Sequence, residues 1–459
     1  MERMGSLDAV FIAVEDSVNH MHIGSVGIFE GPVPSYEEMY ALVAAKLQLV
    51  PRYRQRVREA PAGVGRPVWI DDADFDLDNH LRHTALPARD RFGLEQLVGR
   101  VMSHPLDRRQ PLWEMWFIEG LSDDRWAMLS KVHHCMVDGI AASDLLAVLL
   151  DLEPDAPLLA RDEWNPASEP SRVELARYTG EMTIESMIAA ARGGLHALRH
   201  PVGALARARD VSLGIVRIIA PAKRAGSSLT GPIGPRRRWA RTHISLDDVS
   251  AIRHAFGGTA NDVILAAVTR GFRGLLLGRG EPVEGRTITT LVPVSMRSVE
   301  AFGKLDNRVS AVYARLPIGI DDPVETLHAV HEHMDELKVS HEIDASAAIV
   351  GVGDFAPPVI AAFLARSLVH AQEIVQTVAT NVPGPQVPLY VCGRRMVEAY
   401  PYVPIAGHIR IGVAIWSYCG DVYFGITGDW RSAPDVETLT REIDLGFEDL
   451  LKESAGAID

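Results

Sequence analysis

Lys131-Val132-His133-His134-Cys135-Met136-Val137-Asp138-Gly139 joins two runs of different character. Residues 126–132 are apolar and strand-like, and residues 140–150 are helix-like. A strand feeding a helix through a short turn is a building unit of α/β domains. The turn also concentrates two imidazoles and a carboxylate. A neutral imidazole, whose ordinary pKa lies near neutrality, can take the proton of a hydroxyl as its oxygen attacks a carbonyl. That is the chemistry of acyl transfer.

Upstream of the turn, residues 115–119 and 126–132 flank Ser122-Asp123-Asp124 and read as a hairpin. Residues 22–29 alternate into a strand, and residues 36–47 have helical spacing. Pro154, Pro157, Pro166 and Pro170 mark a linker, after which residues 174–220, rich in Ala, Leu and Arg, read as helices. Further on, residues 287–296, 308–316 and 374–380 are strand-like, and 323–338 form an amphipathic helix. Residues 409–416 and 422–426 flank Gly420-Asp421 as a second hairpin, and 436–452 close the chain as a helix. The expected organisation is α/β with mixed sheets and helices. Residues 1–155 form a first domain, 156–235 a helical, basic connector and 236–459 a second domain.

A chain of 459 residues exceeds what one core usually organises, which agrees with two domains. The first residues carry Glu2, Arg3, Asp8, Glu15 and Asp16 around a short apolar stretch, so no secretory segment is expected. A membrane span needs about 18 apolar residues. The best candidate, residues 355–369, is shorter and holds Pro357, Pro358 and Arg366. Cys135, Cys392 and Cys419 are scattered and odd in number, which suits a reducing compartment. Cys135 directly follows its would-be base, and nothing marks it as an activated thiolate, so it reads as a small buried residue. The net charge of −14 argues against nucleic-acid binding. The exception to that acidity is the stretch from Arg192 to Arg241, where only Asp210 interrupts a series of arginines and one lysine.

Four ordered motifs point to a family. His133-His134-x-x-x-Asp138-Gly139 has the form HHxxxDG, and Pro111-Leu112-Trp113-Glu114 followed by Gly120-Leu121 looks like a PLW…GL segment. Asn261-Asp262-Val263 looks like an ND motif and Asn381-Val382-Pro383-Gly384-Pro385 like NVPGP. Together they resemble the bacterial wax ester synthase/diacylglycerol acyltransferase family of the HHxxxDG CoA-dependent acyltransferase superfamily. The opening Ser6-Leu7-Asp8-Ala9 is similar to its actinobacterial triacylglycerol synthases. The resemblance implies two similar subdomains with an active-site tunnel at their interface. It also implies acyl-CoA as co-substrate without a cofactor or metal, and esterification of diacylglycerol or a long-chain alcohol. The expected location is cytoplasmic, peripheral to the inner membrane face or lipid inclusions. The rivals are an HHxxxDG enzyme acting on carrier-bound acyl groups and a non-catalytic lipid-coating protein. Intact His134, Asp138 and Gly139 disfavour the second.

If residues 126–134 stay extended, His133 and His134 point to opposite faces, and period alone cannot choose the base. The resemblance assigns it to His134, with His133 supporting the turn. Asp138 precedes an apolar helical run and reads as an N-cap, and the resemblance adds pairing with an arginine, with Arg297 and Arg308 as candidates. Gly139 allows close backbone approach to substrate. Asn261 and Asp262 either cap a helix or act at the site, where an amide could serve an oxyanion and a helix N-terminus the phosphates of CoA. Asn381, Pro383 and Gly384 read as a rigid turn, to which the resemblance adds a place in the wall of the acyl tunnel. Pro111-Leu112-Trp113 reads as the start of a packed edge strand. His328, His331 and His333 do not share one helix face and read as a solvated surface without zinc. No P-loop, dinucleotide fingerprint or G-x-S-x-G elbow is present.

Overall fold

A computed structural model describes residues 1–61, 65–87, 91–136, 148–181, 227–295, 309–339 and 375–457, together with Ile184 and Ile188. The chain begins with β1 (Glu2–Arg3), α1 (Ser6–Val14), β2 (His22–Phe29) and α2 (Tyr36–Lys46). Ser35 and Glu38 close a reciprocal capping box that starts α2. Next come β3 (Gln55–Arg58), β4 (Val68–Asp71), β5 (Leu81–Ala85), α3 (Arg91–Met102), β6 (Trp113–Glu119) and β7 (Trp126–His133). The second half holds β8 (Arg237–Ser245), α4 (Leu246–Phe256), α5 (Ala260–Gly278), β9 (Ile288–Ser295), β10 (Val309–Leu316) and α6 (Pro323–Val339). It closes with β11 (Thr377–Val382), β12 (Tyr390–Val391), β13 (Arg394–Tyr402), β14 (Ile411–Tyr418), β15 (Asp421–Asp429) and α7 (Val436–Ala457).

These elements form two lobes, each built on a six-stranded mixed sheet, with orders β12-β13-β2-β7-β6-β5 and β10-β9-β11-β14-β15-β8. The small sheet β1-β4-β3 belongs to the first lobe, where Val57 and Trp69 join its core. β7 is buried at every position because it lies inside its sheet, which explains its nearly continuous apolar sequence. Each sheet anchors its own core. Trp113, Trp126 and Phe117 lie in the first, and Val263, Phe272, Leu439 and Ile443 in the second.

Two placements depart from local reading. The β12–β13 segment belongs by sequence to the second half, yet β13 pairs antiparallel with β2, from Met396 opposite Phe29 to Tyr402 opposite Gly24. It passes so close to β15 that a Cβ on Gly425 would lie 1.7 Å from the Pro401 carbonyl oxygen, so only glycine fits there. The Pro111-Leu112-Trp113 segment does not start an edge strand. β5 pairs parallel on the outer side of β6, which buries Trp113 against Tyr53 and His80.

The lobes are also tied by partly buried polar contacts. The Arg237 backbone N–H donates to Ser103 Oγ at 2.7 Å, and its guanidinium donates to the Val18 carbonyl. Arg241 bridges Glu95 and Glu398 at 2.9 Å each. Residues 172–181 are helical, and of residues 182–226, which hold most of the connector's arginines, only Ile184 and Ile188 are described. Among the described residues no helix is long and apolar enough to cross a membrane.

Candidate active site

β7 ends at His133, and His134 opens a single 3-10 turn, His134–Met136. The extended alternation therefore stops between the two histidines, and the local backbone, rather than the strand period, aims His134. The His133 N–H donates to the Leu112 carbonyl at 2.9 Å and the His134 N–H to the Met21 carbonyl at 2.8 Å. The PLW segment and the residue just before β2 thus hold the double histidine through its backbone.

Phe11 of α1 stacks on the His134 ring, with centroids 3.9 Å apart and planes inclined by 22°. His134 is partly exposed, but the enclosing protein removes most of its hydration and pushes its pKa down to about 4. It is neutral at physiological pH, the form a proton acceptor needs. Cys135 is buried, and loss of hydration raises its thiol well above the ordinary range, which disfavours a thiolate nucleophile.

His133 is fully buried. Its Nδ1 accepts the Cys135 backbone N–H at 3.1 Å, and its Nε2 lies 3.4 Å from Glu15 Oε1. The same carboxylate oxygen lies 3.2 Å from His22 Nε2, and Oε2 accepts from Arg108 Nη2 at 2.8 Å. Burial would raise the Glu15 pKa, but the two imidazoles outweigh it and hold the carboxyl well below its usual range. Burial lowers His22 to about 3. Lys131, also buried, donates to the carbonyl of Val101 in the last turn of α3 and to that of His104 just beyond it, and loss of hydration lowers it to about 8. Glu15, His22 and Arg108 escaped the sequence reading. The available signal was Glu15 one turn after Phe11, at the end of an apolar helix.

The ND and NVPGP motifs meet. Asn381 Nδ2 donates to Asn261 Oδ1 at 3.0 Å. Asn381 and Val382 are the last residues of β11, so only the remainder of the motif is a turn. At Gly384 a Cβ would lie 1.9 Å from Trp416 Nε1 and 2.2 Å from the Ser417 carbonyl oxygen, so the backbone needs glycine, while Pro383 is exposed. Neither Asn261 nor Asp262 is the N-cap of α5. Thr259 is, and Asp262 completes the capping box by accepting the Thr259 N–H at 2.8 Å. Asp262 is buried and accepts also from His331 Nδ1 at 2.9 Å. His331 is therefore no free surface histidine. The helix end already carries a carboxylate, which opposes binding a phosphate there.

Among the described residues, no hydrogen bond or ion pair joins the Asn261–Asn381 pair to the His133–His134 turn, and no cluster suited to a metal ion occurs. Asp138, Gly139, Arg297 and Arg308 lie outside the described residues.

Residues 4–264 match the wax ester synthase/diacylglycerol acyltransferase catalytic domain, and residues 305–451 match the C-terminal domain of the same proteins. The chain belongs to this family. It is an acyltransferase. The wax ester synthase/diacylglycerol acyltransferase chain is 38% identical over 456 residues to the probable diacylglycerol O-acyltransferase tgs1 of Mycobacterium tuberculosis strain H37Rv, covering 97% of this chain and 94% of that one. Its fold is similar to that of a wax ester synthase/diacylglycerol acyltransferase from Marinobacter aquaeolei VT8. That match has a TM-score of 0.69 and 24% identity, over 99% of this chain and 100% of that one. The first condensation domain of the calcium-dependent antibiotic synthetase has the same two-lobed fold at 16% identity and a TM-score of 0.61, over 99% and 96% of the two chains.

Proposed function

We propose that the protein transfers an acyl group from acyl-CoA to the free hydroxyl of diacylglycerol, forming triacylglycerol, with long-chain alcohols as further acceptors. The observation that carries this reading is His134. It is a neutral, desolvated imidazole at the end of β7, in a chain of this family. His134 takes the hydroxyl proton as the oxygen attacks the thioester carbonyl, and the C–S bond breaks. The proton then passes to the departing CoA sulfur. Neither a metal nor a covalent acyl-enzyme enters this scheme. Asn261 has its Oδ1 engaged by Asn381, which leaves its own N–H groups to donate to the oxyanion.

Gly139 provides close approach for the substrate, and Asn381, Pro383 and Gly384 shape the wall of an acyl tunnel. Asp138 supports the turn. Both substrates carry long acyl chains, so the enzyme works at a lipid surface, peripherally at the inner membrane face or at lipid inclusions. Val173, Ile184 and Ile188 support that contact by exposing apolar side chains on helical residues after the linker.

The test is turnover of palmitoyl-CoA by purified protein with diacylglycerol, hexadecanol or glycerol, read by thiol release and product chromatography. Triacylglycerol as the main product is expected. Thiol release without any ester product would overturn the reading.

A further inference from the structure

Helix α1 delivers two side chains one turn apart to the double histidine. Phe11 stacks on His134, and Glu15, the residue that ends the helix, reaches His133. Residues four apart share a helix face, so a single element addresses both imidazoles. The Glu15 side chain is only 6% exposed, and Arg108 holds it through Nε at 3.1 Å and Nη2 at 2.8 Å. Arg108 in turn donates to the carbonyl of Ile12, which locks the guanidinium onto α1. This leaves Glu15 Oε1 directed at His133 and His22, which stand opposite each other on β7 and β2.

One hydrogen bond and one close carboxylate define the state of the His133 ring. Its Nδ1 accepts the Cys135 N–H, so that nitrogen carries no proton, and the proton resides on Nε2, facing the carboxylate. Cys135 is the residue after His134. The bond to its N–H therefore sets the backbone on which the His134 side chain is mounted.

We infer that Glu15 is a positioning residue for acyl transfer: its carboxylate holds His133 in the Nε2–H tautomer, and His133, through the Cys135 N–H, fixes the turn that aims His134. The inference rests on His134 being the base. Removing the negative charge frees the His133 ring to donate from Nδ1, which opposes the Cys135 N–H and releases the turn. Outer hydrogen-bond partners of metal-bound histidines are worth about 10- to 100-fold, and a loss of that order is expected for this oriented imidazole.

The test combines kinetics and imidazole nitrogen NMR on histidine-labelled protein. Glu15→Gln should lower kcat and leave KM for palmitoyl-CoA unchanged. In a His133→Ala background, adding Glu15→Gln should cost nothing further, whereas a carboxylate that only stabilises the fold gives losses that multiply. The His133 resonances, assigned by their disappearance in His133→Ala, should show a protonated Nε2 and a bare Nδ1 in the wild type, a pattern lost in Glu15→Gln. An Nδ1–H ring in the wild type would overturn the inference even if the Gln variant fails to fold, and multiplying losses would overturn it as well. A fully active His134→Ala would remove the base assignment and leave the tautomer measurement standing.

Discussion

Asn381 Nδ2 donates to Asn261 Oδ1 across 3.0 Å, joining the end of β11 to the start of α5 and thereby two motifs separated by 120 residues. Asn381→Ala removes the donor and leaves Asn261 free to rotate. A fall in kcat of about tenfold is expected, since one oriented hydrogen bond near a developing charge carries at least that much. Steady-state kinetics beside a melting curve checks it, and a variant with unchanged kcat would assign the pair to structure alone.

His134→Ala is expected to lose about 10²- to 10⁴-fold in rate while keeping its secondary structure, because it removes the general base. His133→Ala should lose activity together with stability, because the fully buried ring bonds to Cys135 and abuts Glu15. Circular dichroism and thermal melts separate the two outcomes.

The acid limb of kcat/KM should lie near pH 4. Loss of hydration holds His134 at about 4, so its neutral, proton-accepting form persists well below the ordinary imidazole range. A midpoint near 6.5 would point to a different, better solvated base.

Stability should fall as pH falls from about 6.5 towards about 3. Between those values the unfolded chain protonates His22 while burial keeps the folded ring neutral, so the unfolded state binds more protons and gains with acid. Glu15, held below its usual range by its histidine partners, adds to the loss below about 4.5. Denaturant midpoints against pH, compared for wild type and His22→Gln, test this. The variant should show a shallower slope in the window.

Gly384→Ala should destabilise by about 1–3 kcal/mol or more, because the new methyl overlaps the Trp416 ring and the Ser417 carbonyl, and backbone cannot yield as a flexible side chain does. A denaturant curve measures it. Full stability would mean that the turn after β11 shifts without cost.

Local sequence was enough to place the strand β7, the hairpin it forms with β6, α2, α6 and the β14–β15 pair, because apolar periodicity and turn residues act over a few positions. The ordered motifs carried the family. Only the tertiary structure decided that β13 joins the first sheet and β5 covers β6, since strand partners are chosen by faces that meet far apart in sequence. The candidate site divides in the same way. The histidine pair was visible in nine consecutive residues, but the hold of Glu15 on His133 spans the two ends of the first lobe, and the bonds of Asp262 to His331 and of Asn261 to Asn381 span the second. An ionisable side chain in a linear sequence has no fixed partner. Burial forces it to find one, and folding determines which group lies within reach.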